Sequence, residues 1–230
     1  MANDLRFVDR QLVVTEDGSH SVYLPALAEH YHSSYGALAE SRHVFIRHGF
    51  QQVTTNGSKP LRVLEVGFGT GLNALLTWQE ASATAIAVSY TAFEAFPVEE
   101  QILSQLNHAE VLGTPTAPVA FSALHCCPWG ERQTLASGFS LLKVAARFET
   151  FRLSEGYDLV YFDAFSPAVQ PELWTAEIFA SLFAGMHPGA LLVTYCAKGE
   201  VRRNLKAAGF VVERLPGPPG KRVMTRARKE

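Results

Sequence analysis

The sequence predicts an α/β protein built on a doubly wound, mostly parallel sheet of seven strands with an antiparallel hairpin at its edge. From residue 61 onward, short apolar runs alternate with amphipathic segments, which is typical of a parallel sheet with helices on both faces. The chain closes with two strand-like runs around the turn PGPPG, which favours an antiparallel pair. Its 230 residues, 47% hydrophobic and 18% charged, fit one domain with a substantial core.

Residues 1–60 are expected to be an N-terminal elaboration of the same domain, whose core spans residues 61–230. The elaboration contains a turn at TEDGS and a helix around GALAESRHVFIRHG. The core opens with the strand LRVLEV and the helix LNALLTWQ, followed by the strand VSYTAFE and the helical segment VEEQILSQL.

Between residues 114 and 155 the pattern leaves alternatives open, because PVAFSALHCC, RQTLAS and FSLLKVA are each compatible with a strand. The strand YDLVYFD follows, and then PELWTAEIFASLFAGM, whose apolar residues have helical spacing and which ends at HPG. The remaining elements are the strand ALLVTY, the helix GEVRRNLKAAG closed by Gly209, and the strands FVVERL and KRVMTRA.

Composition excludes several classes of protein and location. No apolar run reaches the ~18 residues that span a bilayer, so no membrane partner is expected. Three cysteines without metal or disulfide spacing suit a reducing cytoplasm, and the histidines form no metal motif. The net charge of −2 gives no argument for nucleic-acid binding. The last 33 residues are nevertheless rich in Lys and Arg, which fits either a phosphate-binding face or a solvated helix.

Three glycines in the stretch LEVGFGTGLN, Gly67, Gly69 and Gly71, follow the first core strand and open a helix. Ligands of open parallel sheets bind at the carboxyl ends of strands, and glycine lets the backbone approach a ligand closely. The spacing is G-x-G-x-G, whereas dinucleotide-binding loops have G-x-G-x-x-G. Glu65 is expected to place a negative charge beside the loop, which disfavours a pyrophosphate.

Glu94 ends the second core strand, where such folds place an acid that binds both ribose hydroxyls. A glycine turn alone also fits ordinary strand–helix packing, but the loop, the helix and the terminal acid together indicate a nucleoside site. Since a pyrophosphate is disfavoured, S-adenosyl-L-methionine (SAM) is expected rather than NAD. The predicted fold is then the Rossmann-like fold of class I SAM-dependent methyltransferases.

A carboxylate, an aromatic residue and a proline follow the strand YDLVYFD, in the stretch FDAFSPAVQPELW. Asp163 is expected at the same sheet edge as the glycine loop. Methyl transfer to nitrogen requires a free amine lone pair, and a carboxylate can accept the amine's hydrogens and orient that lone pair. Phe165 and Pro167 would form a wall for a flat base. Asp163 is equally compatible with a helix cap, and Phe165 with a core position.

These motifs resemble the methyltransferase part of the MnmC family, which modifies the wobble uridine of tRNA. The resemblance is carried by EVGFGTGLN, FDAFSPAVQPELW, VRRNLKAAGF and GPPGKRVM, and by DGSHSVY and YHSSYGALAESRHVF near the start. Because the chain ends just after KRVM, it is expected to resemble the stand-alone MnmD-type form, which lacks an FAD-dependent oxidase half. The resemblance implies methyl transfer from SAM to the exocyclic amine of 5-aminomethyl-2-thiouridine at the wobble position (position 34).

The resemblance also implies site residues and a partner. The partner is tRNA, bound at its anticodon stem-loop, and no metal is implied. The implied cofactor residues are Glu65, Gly67, Phe68, Gly69, Gly71, Asn73 and Glu94. The implied catalytic residues are Asp163, Phe165 and Pro167, and the implied substrate-binding residues are Trp174, Arg202, Lys221 and Arg222. Of the N-terminal segment, Tyr31, His32, Glu40 and Ser41 are candidates for the substrate entrance.

One segment departs from the family pattern. Lys143 and Val144 occupy the place of a Gly-Asp pair whose acid lies near the adenine amino group, so that adenine would be held by backbone and apolar contacts. Two alternatives stay open: a SAM-dependent transferase for a small amine, which the near-neutral charge favours, and a non-catalytic SAM-binding module. The sequence does not determine the oligomeric state.

Overall fold

The computed structural model describes residues 9–53, 59–151, 153 and 156–230. Two sheets form within these residues: a small three-stranded sheet near the N-terminus and a central eight-stranded sheet. The predicted N-terminal elaboration includes residues 1–8 and 54–58, which lie outside the described part. None of the described helices has the length and apolar character needed to cross a membrane.

The N-terminal segment forms a small antiparallel sheet followed by a helix. Its strands are β1 (Gln11–Val14), β2 (His20–Leu24) and β3 (Glu29–His30). The predicted turn at TEDGS joins β1 to β2. The predicted helix is also confirmed: it is α1 (Ala37–Ser41), which continues as a π-helical turn over Arg42–Arg47.

The first half of the core contains β4 (Leu61–Val66), α2 (Leu72–Thr84), β5 (Val88–Phe93) and three short helices, α3 (Glu100–Leu103), α4 (His108–Leu112) and α5 (Ala117–Cys126). The strands, α2 and α3 were predicted. PVAFSALHCC is a helix and not a strand, because Pro118 lies in the first turn, where proline is tolerated, and Ala117, Ala120 and Leu124 share one buried face.

The second half contains β6 (Gln133–Ala136), β7 (Phe139–Val144), β8 (Tyr157–Phe162), α6 (Ala176–Ala184), β9 (Met186–Thr194), α7 (Gly199–Ala207), β10 (Val211–Pro216) and β11 (Val223–Arg228). The predicted closing hairpin is β10 with β11. Residues HPG lie within β9 and do not end the helix, since β9 begins at Met186.

The central sheet has the strand order β10-β11-β9-β8-β4-β5-β7-β6. Five neighbouring strands, from β9 to β7, are parallel, and β6 and the hairpin add antiparallel edges. The sheet therefore has eight strands and not the predicted seven, because β6 pairs beside β7. Apolar clusters cover both faces: α2, α5 and the segment after α1 pack on one face, and α6 and α7 on the other.

The topology places a ligand site at the middle of the sheet. The chain runs from β4 to β5 and β7 on one side, and then crosses to β8 and β9 on the other. Between β4 and β8 the helical connections leave in opposite directions, so a crevice opens beyond the carboxyl ends of the strands. The loops after β4, β5 and β8 carry the glycine motif, Glu94 and Asp163.

Candidate active site

A cavity of about 400 Å³ opens at this crevice. Its walls come from the loops after β4, β5, β7 and β8, from Tyr195 after β9, from residues 29–35 of the N-terminal segment, and from the turn between β10 and β11. Segments far apart in the sequence thus enclose one space. The volume is within the range of sites for small molecules and cofactors.

The glycine loop lines the cavity and also packs against other parts of the protein. The backbone N–H groups of Gly67 and Phe68 donate to the carbonyl of Phe93, at 2.9 and 3.0 Å. Gly67 has a φ of 97°, and a Cβ there would lie 2.5 Å from the carbonyl oxygen of Asp163. Gly69 has a φ of 50°, and a Cβ there would lie 3.1 Å from the Tyr31 ring. Glycine is required here by neighbouring protein atoms, and not only by a ligand.

Gly71 has a different place from the other two glycines. It is the N-cap residue of α2 and does not line the cavity, which Gly67, Phe68 and Gly69 do. The structure therefore brings two of the three predicted glycines to the site.

Glu94 presents a fixed carboxylate to the cavity. One carboxylate oxygen accepts from the backbone N–H of Gly69 and the other from that of Phe96, both at 2.9 Å. The remaining lone pairs can accept two further hydrogen bonds. This arrangement fits the predicted contact with the hydroxyl groups of a ribose.

Glu65 does not present its charge to the cavity, which corrects the prediction made for it. Its side chain is fully buried beneath the loop and is absent from the cavity wall. It accepts hydrogen bonds from the Asn73 amide and the Tyr90 hydroxyl, both at 2.9 Å. Burial raises the pKa of Glu65 well above its usual value, against these hydrogen bonds. The residue supports the site from below.

Asn73 joins Glu65 to Asp163. Its side-chain nitrogen donates to both carboxyl groups, at 2.9 Å to Glu65 and 2.8 Å to Asp163. Asn73 and Asp163 both line the cavity. Among the described residues, the buried Asn73 Oδ1 has no hydrogen-bond partner, so a ligand that carries an N–H donor suits this wall.

Asp163 is the carboxyl group best suited to proton transfer in the cavity. Burial is the main cause that raises its pKa to about 7; the nearby Glu40 charge also raises it, while the Asn73 hydrogen bond and Lys221 lower it. A group with a pKa near neutrality exchanges protons efficiently at physiological pH. The predicted role of Asp163 as a helix cap has no support, since α6 is capped by Thr175.

Phe165 forms an aromatic wall with Tyr31. Both residues line the cavity, and their rings meet edge to face with centroids 5.0 Å apart. The indole N–H of Trp174 donates to the carbonyl of Phe165 at 2.8 Å. Trp174 is itself buried against Phe162, so it supports the loop from behind and does not line the cavity. Pro167 does not line it either.

Of the predicted basic residues, only Lys221 lines the cavity; Arg202 and Arg222 do not. Lys221 forms an ion pair with Glu40, so its partner is a carboxylate of this chain.

Of the four N-terminal candidates, Tyr31, His32 and Glu40 line the cavity, whereas Ser41 is buried outside it. Spacing alone could not place these residues, because the hairpin and the N-terminal segment meet only in the folded chain.

The residues in place of the family's Gly-Asp pair have a structural explanation. Lys143 is buried and does not line the cavity. Its Nζ donates to the carbonyl of His125 at 2.9 Å and lies 4.8 Å from the centre of the Trp129 ring. The cavity wall after β7 is formed instead by Ala146, Arg147, Phe148 and Glu149. Sequence reasoning did not single out these four residues.

The residues present fit SAM. Glu94 offers acceptors for a ribose, the unpartnered Asn73 oxygen fits a donor such as the ligand's amino group, and Phe68, Phe93 and Phe148 provide apolar surface for a base. Among the described residues, no group of three or more His, Cys, Asp or Glu could hold a metal ion.

A family model described as "S-adenosyl-L-methionine-dependent methyltransferase" matches residues 134–230. Together with the sheet order, this match shows the fold of class I SAM-dependent methyltransferases, and the fold and cofactor predictions are confirmed. The predicted resemblance to the MnmC family is confirmed as well. The chain is 36% identical over 215 residues to the "tRNA 5-methylaminomethyl-2-thiouridine biosynthesis bifunctional protein MnmC" of Cupriavidus necator.

A second curated relative and a solved structure are also similar to this chain. The MnmC protein of Aromatoleum aromaticum is 36% identical over 226 residues. The matches cover 88% and 95% of this chain but 32% and 35% of the relatives, so the chain spans about one third of their length. The crystal structure of MNMC2 from Aquifex aeolicus has a TM-score of 0.78 and 24% identity, over 99% of this chain and 72% of that one. This last likeness supports the fold.

Proposed function

We propose that this protein transfers the methyl group of SAM to the exocyclic amine of 5-aminomethyl-2-thiouridine at the tRNA wobble position, giving 5-methylaminomethyl-2-thiouridine. The observation that carries the proposal is the position of Asp163 in one cavity with Glu94 and the glycine loop. A proton acceptor thus lies in the space that the nucleoside site opens into. The names of the relatives, which refer to the biosynthesis of this nucleoside, support the same reaction.

In the proposed reaction, Glu94 and the backbone from Gly67 to Gly69 hold the cofactor, which supplies an electrophilic methyl group when bound. The segment after β7, with Phe148 and Glu149, holds its base. These residues are set by backbone hydrogen bonds within the fold, so little reorganisation is required for binding.

Asp163 provides the proton chemistry. An aminomethyl group is largely protonated at neutral pH and has no free lone pair in that state. The Asp163 carboxylate accepts one N–H proton and becomes a neutral carboxylic acid, and the nitrogen keeps the electron pair that forms the new N–C bond. The bond between the methyl carbon and sulfur would break in the same step, with its electron pair going to sulfur, so that S-adenosylhomocysteine is the second product. The pKa of Asp163, at about 7, lets it return the proton to solvent between turnovers.

The aromatic pair Tyr31 and Phe165 holds the substrate base. Both rings face the cavity, and stacking on an aromatic side chain contributes about 1–3 kcal/mol per base. RNA-binding proteins commonly recognise single-stranded loop bases in this way. An unstacked wobble uridine of the anticodon loop fits this cavity better than a base within a helix.

The proposal extends to the partner and the location. The partner is the anticodon stem-loop of tRNA. Arg202 and Arg222, which lie outside the cavity, remain candidates for phosphate contacts. The proposed location is the cytoplasm, where the protein would encounter free tRNA.

The test uses purified protein, methyl-labelled SAM and four acceptors: tRNA from cells that lack the terminal methyl group, the matching anticodon stem-loop, free small amines, and fully modified tRNA as the control. We expect label in the first two, located at the wobble nucleoside by digestion and mass spectrometry. Label in free small amines with none in tRNA would establish the small-amine transferase instead. SAM binding without transfer to any acceptor would establish a non-catalytic module.

A further inference from the structure

An ion pair closes one side of the cavity. It joins Glu40 of α1 to Lys221 of the turn between β10 and β11, two residues 181 positions apart. Both line the cavity. The Glu40 side chain is 8% exposed and that of Lys221 is 33% exposed, so the pair is only partly screened by water.

Each partner is held by a second contact. The other carboxylate oxygen of Glu40 accepts from the backbone N–H of Ser33 at 2.7 Å. The Lys221 ammonium lies 4.2 Å from the centre of the Tyr195 ring, a cation–π contact. Tyr195 in turn donates from its hydroxyl to the carbonyl of Ala164 at 2.9 Å. Since Ala164 follows Asp163 directly, the ion pair is connected to the loop that carries Asp163.

Several charged or titratable groups face Asp163. Below it lies Glu65 of β4, linked through Asn73, with Tyr90 of β5 behind. Toward the cavity its electrostatic neighbours are Glu40, Lys221 and Tyr195, and Glu29 lies beyond Tyr195. Glu40 and Lys221 act on Asp163 with opposite signs: the Glu40 charge raises its pKa and the Lys221 charge lowers it.

Stability alone does not explain this ion pair. A partly buried ion pair contributes little net stability, because desolvation offsets its attraction. The hairpin turn already packs on the N-terminal segment through Tyr35, whose ring occupies the space beside Gly220. The placement of both charges inside the cavity therefore indicates a role in its chemistry.

We propose that Glu40 and Lys221 are positioning residues that hold the Asp163 loop in place and set the pH range in which Asp163 takes up the proton of the substrate amine. The inference rests on the proposed function for the identity of the amine. The electrostatic effect of the two residues on Asp163 is independent of the proposed function, because it exists in the protein without substrate. With the pair intact the Lys221 charge offsets part of the effect of the Glu40 charge on Asp163.

The test compares Lys221→Met, Glu40→Gln and the double variant, with Lys206→Met as a control that removes an exposed cation from α7. The Asp163 carboxyl is titrated directly by carbon-detected NMR without substrate, and is assigned with Asp163→Asn. Lys221→Met leaves Glu40 uncompensated, so we expect the titration midpoint to rise by about 0.5–1 pH unit. Glu40→Gln leaves Lys221 uncompensated, so we expect a fall of about the same size. The double variant should titrate between the two single variants, and Lys206→Met should titrate like the wild type.

The activity assay gives a second measurement. The low-pH limb of the rate profile should move up for Lys221→Met and down for Glu40→Gln. A purely structural role predicts a lower rate at every pH in both variants with an unmoved limb and unmoved titrations, and that outcome would overturn the proposal. Thermal unfolding of each variant identifies any that fail to fold, in which case Lys221→Gln and Glu40→Ala replace them. If tRNA is not methylated at all, the NMR titrations still decide the electrostatic effect, so failure of the proposed function remains distinguishable.

Discussion

The α-carbon of Gly67 lies so close to the Asp163 loop that a Cβ on it would be 2.5 Å from the Asp163 carbonyl oxygen. The backbone N–H of Asp163 also donates to the carbonyl of Val66 at 2.9 Å. The cofactor loop and the loop of the proposed proton acceptor are therefore locked together by backbone atoms. A change in either loop is transmitted to the other.

The first prediction concerns this contact. We expect Gly67→Ala to lower both stability and activity, because the added methyl group must displace the Asp163 backbone and because the φ of 97° is unfavourable for alanine. A loss of at least about 10-fold in kcat/KM and of roughly 1–3 kcal/mol in stability is expected. The control is Gly130→Ala, which has a φ of 84° but no heavy atom within 4 Å of the added Cβ. Equal activity losses in the two variants would show that backbone strain, and not the contact, matters.

The second prediction concerns Glu94. Glu94→Gln keeps the size of the side chain but turns an N–H₂ group toward one of the two backbone donors, Gly69 or Phe96. We expect SAM affinity, measured by isothermal titration calorimetry, to fall by at least about 10-fold, since a charged hydrogen bond is worth about 1.5–3 kcal/mol. Glu100→Gln, an exposed residue of α3, is the control and should bind SAM normally. Unchanged affinity in Glu94→Gln would remove Glu94 from the cofactor site.

The third prediction concerns catalysis by Asp163. Asp163→Asn retains the hydrogen-bonding shape but cannot accept a proton. We expect a loss of about 10²–10⁴-fold in kcat, with SAM affinity within a few-fold of the wild type. Rapid-quench assays with saturating SAM and undermodified tRNA measure the transfer step. If the variant transfers methyl at the wild-type rate, Asp163 has no role in proton transfer.

The fourth prediction is the pH dependence of the wild-type rate. The carboxylate form of Asp163 is the active one, so kcat/KM should rise with pH and level off above about pH 7, following its pKa. The slope of the limb should correspond to one proton. Asp163→Asn should show no such limb, and a limb that persists in this variant would assign it to another group.

The fifth prediction is the effect of Asp163 on stability. Its pKa in the folded protein is raised to about 7 from an ordinary value of 3.8, so the folded state holds a proton that the unfolded chain releases. This contribution to the free energy of unfolding is fully present below about pH 4 and is lost as pH rises toward 7. Asp163→Asn should therefore gain in melting temperature relative to the wild type between these values. A difference that does not change with pH would contradict the raised pKa.

Local sequence pattern was enough to predict most of the strands and the cofactor loop. LRVLEV, VSYTAFE and YDLVYFD are β4, β5 and β8 within one residue, because continuous apolar runs suit strands buried on both faces. Pattern failed where an apolar run is short and equally compatible with a helix. PVAFSALHCC forms α5, since a helix can place its buried residues against α2.

Side-chain environment was the least predictable feature of the site. Glu65 was expected to face a ligand, yet it is buried and bound to Asn73 and Tyr90. Trp174 belongs to the same motif as Phe165 but lies behind it. A motif gives the residue type and the spacing, whereas burial depends on which segments pack over that motif.

The sequence by itself determined the fold class, the cofactor loop and the approximate position of the proposed proton acceptor, because glycine spacing and strand-end acids act through local backbone geometry. Only the tertiary structure decided that Glu40 and Lys221 meet beside Asp163 and that Tyr31 faces Phe165. Such contacts join segments from opposite ends of the chain, and their electrostatic effects depend on distance and burial, which no local pattern contains.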